Sequence, residues 1–248
     1  MEAFKFMKTS DIIVLCSTKN ERIEQFQIEM IDSFVANTPS EGKLLVIENN
    51  STSEQHQRWK NYVESKNQNF VYLDGEFNMN RFYNIGTNMT YNEYIMYCSS
   101  DILFYENWYE NLLSWYDKID NLFVTTPFAK AFDWDNSPEL LQDKSVYRKN
   151  VAYTDKFIDT IHIGGWFGCF PRKFNWKWDE RFKAHYQDAD MVNTLRCMRN
   201  ENPDLITGIA YNSRVDHLIG GTAKNLDSPV DYYTLQGREE MIRKWGGW

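Results

Sequence analysis

Between residues 12 and 126, short continuous apolar runs alternate with longer stretches whose apolar side chains recur every three or four positions. This alternation constrains the fold more than any other feature of the chain. Residues 12–16, 43–47, 70–73, 94–98 and 122–126 read as strands. The continuous runs among them, 12–16 above all, mark strands covered on both faces. Ile23, Phe26, Met30, Ile31, Phe34 and Val35 line one side of a helix that stops near Asn37-Thr38-Pro39. Ser53 is placed to cap a second helix carrying Trp59, Tyr62 and Val63. Residues 78–92 are expected to be helical in part, and Trp108, Leu112, Leu113 and Trp115 mark another helix. Strands and helices alternating at this length imply a parallel sheet with right-handed crossovers.

The second half is less regular. Residues 128–156 are polar and aromatic, with Asp133-Trp134-Asp135-Asn136, and read as a functional loop or lid. Residues 160–170 read as a strand broken by Gly164-Gly165 and Gly168. Residues 188–198 read as a helix, 204–211 as containing a strand, and 231–245 as a terminal helix. With no internal repeat and no linker, the 248 residues form one domain, in which 11–127 and 128–248 are two functional halves.

Composition removes several function classes. A net charge of -8 argues against a general polyanion-binding surface. There is no apolar run of membrane-spanning length and no apolar core of a signal peptide near the start, so a cytoplasmic protein is expected. Cys16, Cys98, Cys169 and Cys197 form no C-x-x-C pair and read as reduced packing residues. They share no zinc spacing with His56, His162, His185 or His217. No G-x-G-x-x-G follows the first strand and no G-x-x-x-x-G-K-[ST] occurs, which disfavours a dinucleotide oxidoreductase and a P-loop NTPase.

Three polar segments follow strands: Thr18-Lys19-Asn20-Glu21, Glu48-Asn49-Asn50-Ser51 and Ser99-Ser100-Asp101. Loops after neighbouring parallel strands converge at one sheet edge, so these groups would line one crevice. A fourth segment, Asp179-Glu180-Arg181-Phe182 followed by Tyr186-Gln187-Asp188-Ala189-Asp190, adds two carboxylates at a helix start. Each has a plainer reading. Asp101 could merely cap the next turn, and Asp188 and Asp190 could merely favour the helix dipole. Glu180 and Arg181 could form only a local ion pair, and Arg243-Lys244 only a favourable helix-end charge.

The order of these segments resembles the GT-A fold nucleotide-sugar glycosyltransferases, glycosyltransferase family 2 in particular. The matching motifs are Thr18-Lys19-Asn20, Glu48-Asn49-Asn50-Ser51-Thr52, Asn84-Ile85-Gly86, Ser99-Ser100-Asp101 in place of Asp-x-Asp, Gly164-Gly165-Trp166-Phe167-Gly168, and the Asp179 to Asp190 block. The resemblance implies an α/β, Rossmann-like GT-A domain with a mixed, mostly parallel sheet flanked by helices. It further implies an inverting transfer from a UDP-sugar to an acceptor hydroxyl, assisted by Mn²⁺ or Mg²⁺.

Residue by residue, it implies Thr18, Asn20, Glu48, Asn84, Ser99 and Ser100 at the nucleotide-sugar, Asp101 and His217 at the metal, and Asp188 as general base. Gly165, Trp166 and Asp190 would lie at the acceptor; Trp166 and Trp134 are alternatively core or lid residues. Ser99 removes one carboxylate from the metal motif, which predicts a weaker metal site filled together with the nucleotide. Glu48 in place of the commoner Asp could shift the base, so the nucleotide could differ from UDP.

The expected acceptor is a glycan or lipid-linked sugar. Two alternatives remain: a hydroxylated DNA base, or a domain that only binds a nucleotide or glycan. For DNA, Arg172, Lys173, Lys177 and Lys183 beside Trp176 and Trp178 would form the groove.

Overall fold

The structure is a computed structural model that describes residues 10–16, 21–49, 52–129, 155–217 and 230–246. Thr18, Asn20 and Trp134, with most of the expected lid, lie outside the described residues.

In chain order the elements are β1 (Ser10–Cys16), α1 (Glu21–Asn37), β2 (Lys43–Glu48), α2 (Ser53–Ser65), β3 (Asn69–Tyr72), α3 (Met79–Met89), β4 (Tyr94–Cys98) and β5 (Ile102–Phe104). Then follow α4 (Trp108–Lys118), β6 (Leu122–Ala129), β7 (Phe157–Asp159), β8 (Phe167–Pro171), α5 (Gln187–Glu201), β9 (Ile206–His217) and α6 (Val230–Trp245). One sheet has the order β3-β2-β1-β4-β8-β6-β9-β5, with β7 also paired to β9. β3, β2, β1 and β4 are parallel, β8 is inserted antiparallel between β4 and β6, and β6 and β9 are parallel to each other. The fold is therefore the mixed, mostly parallel α/β sheet with flanking helices expected above.

Alternate strand residues face opposite sides, and both sides are covered. Ile12, Val14, Leu44, Val46 and Met96 pack with Met30, Phe34, Trp59, Val63, Trp108 and Leu112 of α1, α2 and α4. Ile13, Leu45, Ile47, Ile95 and Tyr97 pack with Phe82, Tyr83, Met191 and Leu195 of α3 and α5. Two covered faces are why the strands read as unbroken apolar runs rather than as alternating ones.

Two local details differ from expectation. The cap of α2 is Thr52, not Ser53: Thr52 Oγ1 accepts from Gln55 N at 3.3 Å, and Gln55 Oε1 accepts from Thr52 N at 3.0 Å. This reciprocal pair satisfies two backbone donors that the helix leaves open. Of the expected strand 160–170, only residues 167–170 are strand, the start of β8; residues 160–166 connect it to β7, which ends at Asp159. Gly164 and Gly165 fall in the turn between them, and Gly168 lies within β8.

The parallel strands all end at one edge of the sheet, and β8, running the other way, begins there. At the far edge, Arg172 donates to Asn92 O (2.6 Å), Thr87 O (3.1 Å) and Asp11 Oδ2 (3.2 Å), tying the end of β8 to the starts of β1 and β4.

Candidate functional site

Pairing of β5 with β9 puts Ile102 opposite His217, so Asp101, one residue earlier, meets the His217 ring. His217 Nε2 lies 3.3 Å from Asp101 Oδ1. Ser99 Oγ donates to the same Oδ1 at 2.6 Å and lies 3.4 Å from Nε2. Asp101 is only 4% exposed, and Ser100 beside it is buried as well. Asp101 is thus more than a turn cap: its carboxylate meets a neighbouring hydroxyl and an imidazole from more than a hundred positions away.

Trp166, just before β8, completes this corner. Its ring stacks on His217 at 5.0 Å between centroids and 20° between planes, and its carbonyl accepts from Ser99 N at 2.9 Å. Burial, with the Asp101 charge adding to it, pushes the nearby Cys98 thiol far above its usual range, which leaves it an inert packing group.

One residue upstream, Gly165 lies close against the start of α5, where Asp188 sits. A side chain built on Gly165 would put its Cβ 2.9 Å from Asp188 Cβ and 3.4 Å from Gln187 Nε2. The Gly165-Trp166 dipeptide therefore joins the Asp101–His217 corner to the start of α5. Asp188 is exposed there; its Oδ1 accepts from Ala189 N at 2.8 Å. It borders a cleft of about 870 Å³ lined by residues including His162, Gly164, His185, Tyr186, Asn193 and Trp245. Burial holds the His185 imidazole below its usual pKa, with the Asp188 charge opposing. These cleft residues come from three separate segments: Gly164, His185 and Tyr186 fall within the motifs quoted above, whereas His162, Asn193 and Trp245 carry no local mark in the sequence.

Glu48 closes β2 at the same edge, fully buried, paired in register with Cys16 and Tyr72. Asn49 beside it donates to Leu73 O at 2.6 Å and Gly75 O at 3.3 Å, fixing the loops after β2 and β3 to each other.

Several residues take a different part in the fold from the one their motifs suggest. The Asn84 amide is occupied by the chain itself: it donates to Trp178 O (2.9 Å) and Glu180 Oε1 (3.0 Å) and accepts from Trp178 N (3.0 Å). It buckles α3 to residues 178–180. The Asp190 carboxylate is buried and receives Lys244 Nζ (3.0 Å) and Trp245 Nε1 (2.8 Å), so it holds α6 and does not face the cleft. Lys244 is correspondingly no simple helix-end charge. Arg181 pairs with Asp179, not with Glu180.

The basic residues named for a DNA groove are divided between the two edges of the sheet. Arg172 is engaged at the far edge of the sheet, and Lys177 donates to Asn88 Oδ1 at 3.2 Å near the same edge. Lys183, at the site edge, is paired with Glu76 at 2.6 Å.

The Asp101–His217 pair fits a divalent ion of the Mn²⁺ or Mg²⁺ type in donor chemistry and in spacing. Two neighbouring ligands on an octahedral ion with bonds of about 2.1 Å stand ~3 Å apart. Among the described residues, the buried His217 Nδ1 atom meets no hydrogen-bond partner. Among the same residues no group of three or more His, Cys, Asp or Glu converges on one point. The described residues therefore offer two such donors at this corner, and other oxygens would have to complete a coordination shell.

The chain resembles known proteins in fold and in sequence pattern. A crystal structure of GalNAc-T7 with UDP, GalNAc and Mn²⁺ matches over 86% of this chain and 44% of that one, with a TM-score of 0.64 and 14% identity. The S. aureus TarS 1-349 structure with UDP-GlcNAc matches over 95% of this chain and 67% of that one, with a TM-score of 0.60 and 14% identity. TarS 1-349 without that ligand matches over 97% and 72%, with a TM-score of 0.57 and 14% identity. The chain thus spans under half the length of GalNAc-T7 and about two thirds of TarS 1-349. No curated protein sequence matches it. The model of the family described as glycosyl transferase family 2 matches residues 13–213, most of the chain and every element from β1 into β9. With that match and the GT-A relatives, the chain belongs to glycosyl transferase family 2.

Proposed function

We propose that this protein transfers a sugar from a UDP-sugar to an acceptor hydroxyl, with inversion at the anomeric carbon. The observation that supports the reading is the Gly165-Trp166 dipeptide: Gly165 packs against Asp188, and the Trp166 ring stacks on His217, which meets Asp101. The UDP in the GalNAc-T7 structure and the UDP-GlcNAc in the TarS structure support a nucleotide-sugar donor.

Glu48 and the Ser99-Ser100 turn border the donor crevice, with Glu48 toward the base. Thr18 and Asn20 are assigned to the donor by the family resemblance alone. Asp101 and His217 would hold Mn²⁺ or Mg²⁺, whose chemistry there is to offset charge on the departing diphosphate. Asp188 removes the acceptor proton as the hydroxyl oxygen bonds to the anomeric carbon. The bond from that carbon to phosphate oxygen breaks, and UDP leaves with the electron pair. An exposed carboxylate at the mouth of a cleft suits a base that must meet an incoming hydroxyl.

The acceptor is read as a glycan or lipid-linked sugar. Tyr186 and Trp245 offer flat faces in the cleft, and His162, Asn193 and Thr234 offer hydrogen bonds. No described helix is long and apolar enough to cross a membrane. Cys98, Cys169 and Cys197 are free thiols, which fits a reducing, cytoplasmic setting.

The test is UDP release from a panel of UDP-sugars with Mn²⁺, water serving as acceptor when none is added. Wild type should release UDP from at least one donor. Asp188→Asn should bind UDP as wild type does and lose turnover. Turnover retained in Asp188→Asn removes that residue as base, and UDP binding without release from any donor makes the domain a binder. Metal affinity below about 10 µM without nucleotide would contradict a site finished by the diphosphate.

A further inference from the structure

Asp188 is exposed and its carboxylate accepts from the amide of the next residue, so its position depends on what fixes the first turn of α5. That turn has no side-chain cap, and the residue before it, Tyr186, sits in the left-handed region at φ 65°, an unfavourable conformation for a bulky side chain. Something outside α5 must hold it there.

The last helix supplies several attachments. Lys244 Nζ bonds Asp190 Oδ2 at 3.0 Å and Asp179 Oδ2 at 2.8 Å, spanning the segment that leads into α5. Trp245 Nε1 bonds Asp190 Oδ1 at 2.8 Å, and the same Trp245 lines the cleft with Asp188. Gly237 lies so close to the 185–186 backbone that a Cβ there would stand 2.8 Å from His185 O and 2.8 Å from the Tyr186 ring. Gln236 adds a bond from Nε2 to Arg181 O at 2.5 Å. Asp190 is two positions after Asp188 on the same helix, so a rotation or slide of α5 at Asp190 moves Asp188 with it.

We propose that Lys244 and Trp245 are positioning residues: acting through Asp190, they set the angle at which α5 presents Asp188 to the acceptor hydroxyl. The inference rests on the reading of Asp188 as general base. It assigns to α6 a part in turnover that its exposed, charged sequence does not suggest. Neither residue touches the reacting atoms in this role; each restrains the helix that carries the base.

The experiment compares wild type with Lys244→Met, Lys244→Arg, Trp245→Phe and Asp188→Asn. Three quantities are read: UDP release from the UDP-sugar that wild type turns over, UDP affinity by calorimetry, and hydrogen exchange of amides 187–191. Lys244→Met and Trp245→Phe should lower kcat about tenfold or more with KM for the UDP-sugar within about twofold, as expected when alignment rather than binding is lost. Exchange at 187–191 should rise while β1 and β4 stay protected. Lys244→Arg, which keeps the charge and can keep both bonds, should recover most of the rate.

Folded variants with unchanged exchange at 187–191 overturn the proposal, whatever their turnover. So does a loss of rate matched by an equal loss of UDP affinity, which would mean general destabilisation. Should Lys244→Met fail to fold, Trp245→Phe decides, since it keeps an aromatic ring and removes the N–H. Asp188→Asn separates the two claims. If it retains turnover, the base assignment fails; if it loses turnover while Lys244→Met and Trp245→Phe keep theirs, only the positioning role fails.

Discussion

Gly165→Ala probes the site with a single methyl group. The Gly165 φ is not in the left-handed region, so alanine meets no backbone penalty and the perturbation is steric. The added Cβ would sit 2.9 Å from Asp188 Cβ. Carbon atoms settle at about 3.5–4.0 Å, so one side must yield by roughly 0.6–1 Å. The neighbour on the other side is Trp166, held by its stack on His217 and its bond from Ser99 N, so the start of α5 is the part that gives. A displacement of about 1 Å in a reacting group costs up to ~10²-fold in rate, and overpacking costs about 1–3 kcal/mol in stability. We therefore expect UDP release to fall about 10- to 100-fold while UDP affinity stays within about twofold. A continuous assay of UDP release, with calorimetry on the same preparation, measures both. Wild-type turnover in Gly165→Ala would refute the contact between this residue and the base. A parallel loss of UDP affinity would place Gly165 at the donor instead.

Other outcomes follow from the packing. Thr52→Ala removes half of the α2 capping box and should cost about 1 kcal/mol, seen as a lower thermal midpoint with unchanged UDP affinity. Arg172→Met should destabilise the fold by roughly 1.5–3 kcal/mol, because it strips Asp11 and two backbone carbonyls of a charged donor far from the site. UDP release per folded molecule should not change, and a selective loss of turnover would restore a functional role for that edge. Acidification should weaken the anchor of α6. The Arg181 guanidinium and, beside it, the Lys244 ammonium hold the Asp179 carboxyl well below its usual range. Its contribution is complete above the unfolded value of about 4 and is lost as pH falls below that. Denaturation titrations from about pH 6 down to about pH 2 should show a slope that Lys244→Met reduces.

The sheet was legible in the sequence for a physical reason: β1 and β4 are covered on both faces, and their apolar runs are unbroken. The Ser99-Ser100-Asp101 turn was legible because it follows such a run directly. The insertion of β8 between β4 and β6 was not, since a strand of five residues carries no mark of its neighbours' direction. Nor was the attachment of Lys244 to Asp179 and Asp190, which joins residues more than fifty positions apart through single hydrogen bonds. Asn84 shows the converse. Its motif was readable, but its amide is spent on Trp178 and Glu180, which lie close only after folding.

Metal-dependent sugar transfer is tested most directly by UDP release from UDP-sugars with Mn²⁺, wild type against Asp101→Ala. Asp101 supplies the carboxylate at the corner where β4, β5 and β9 meet, and its oxygen lies 3.3 Å from His217 Nε2. Wild type should release UDP only with the metal, and a folded Asp101→Ala protein should lose that release. Equal release by both proteins, or release indifferent to a chelator, would contradict the role given to Asp101.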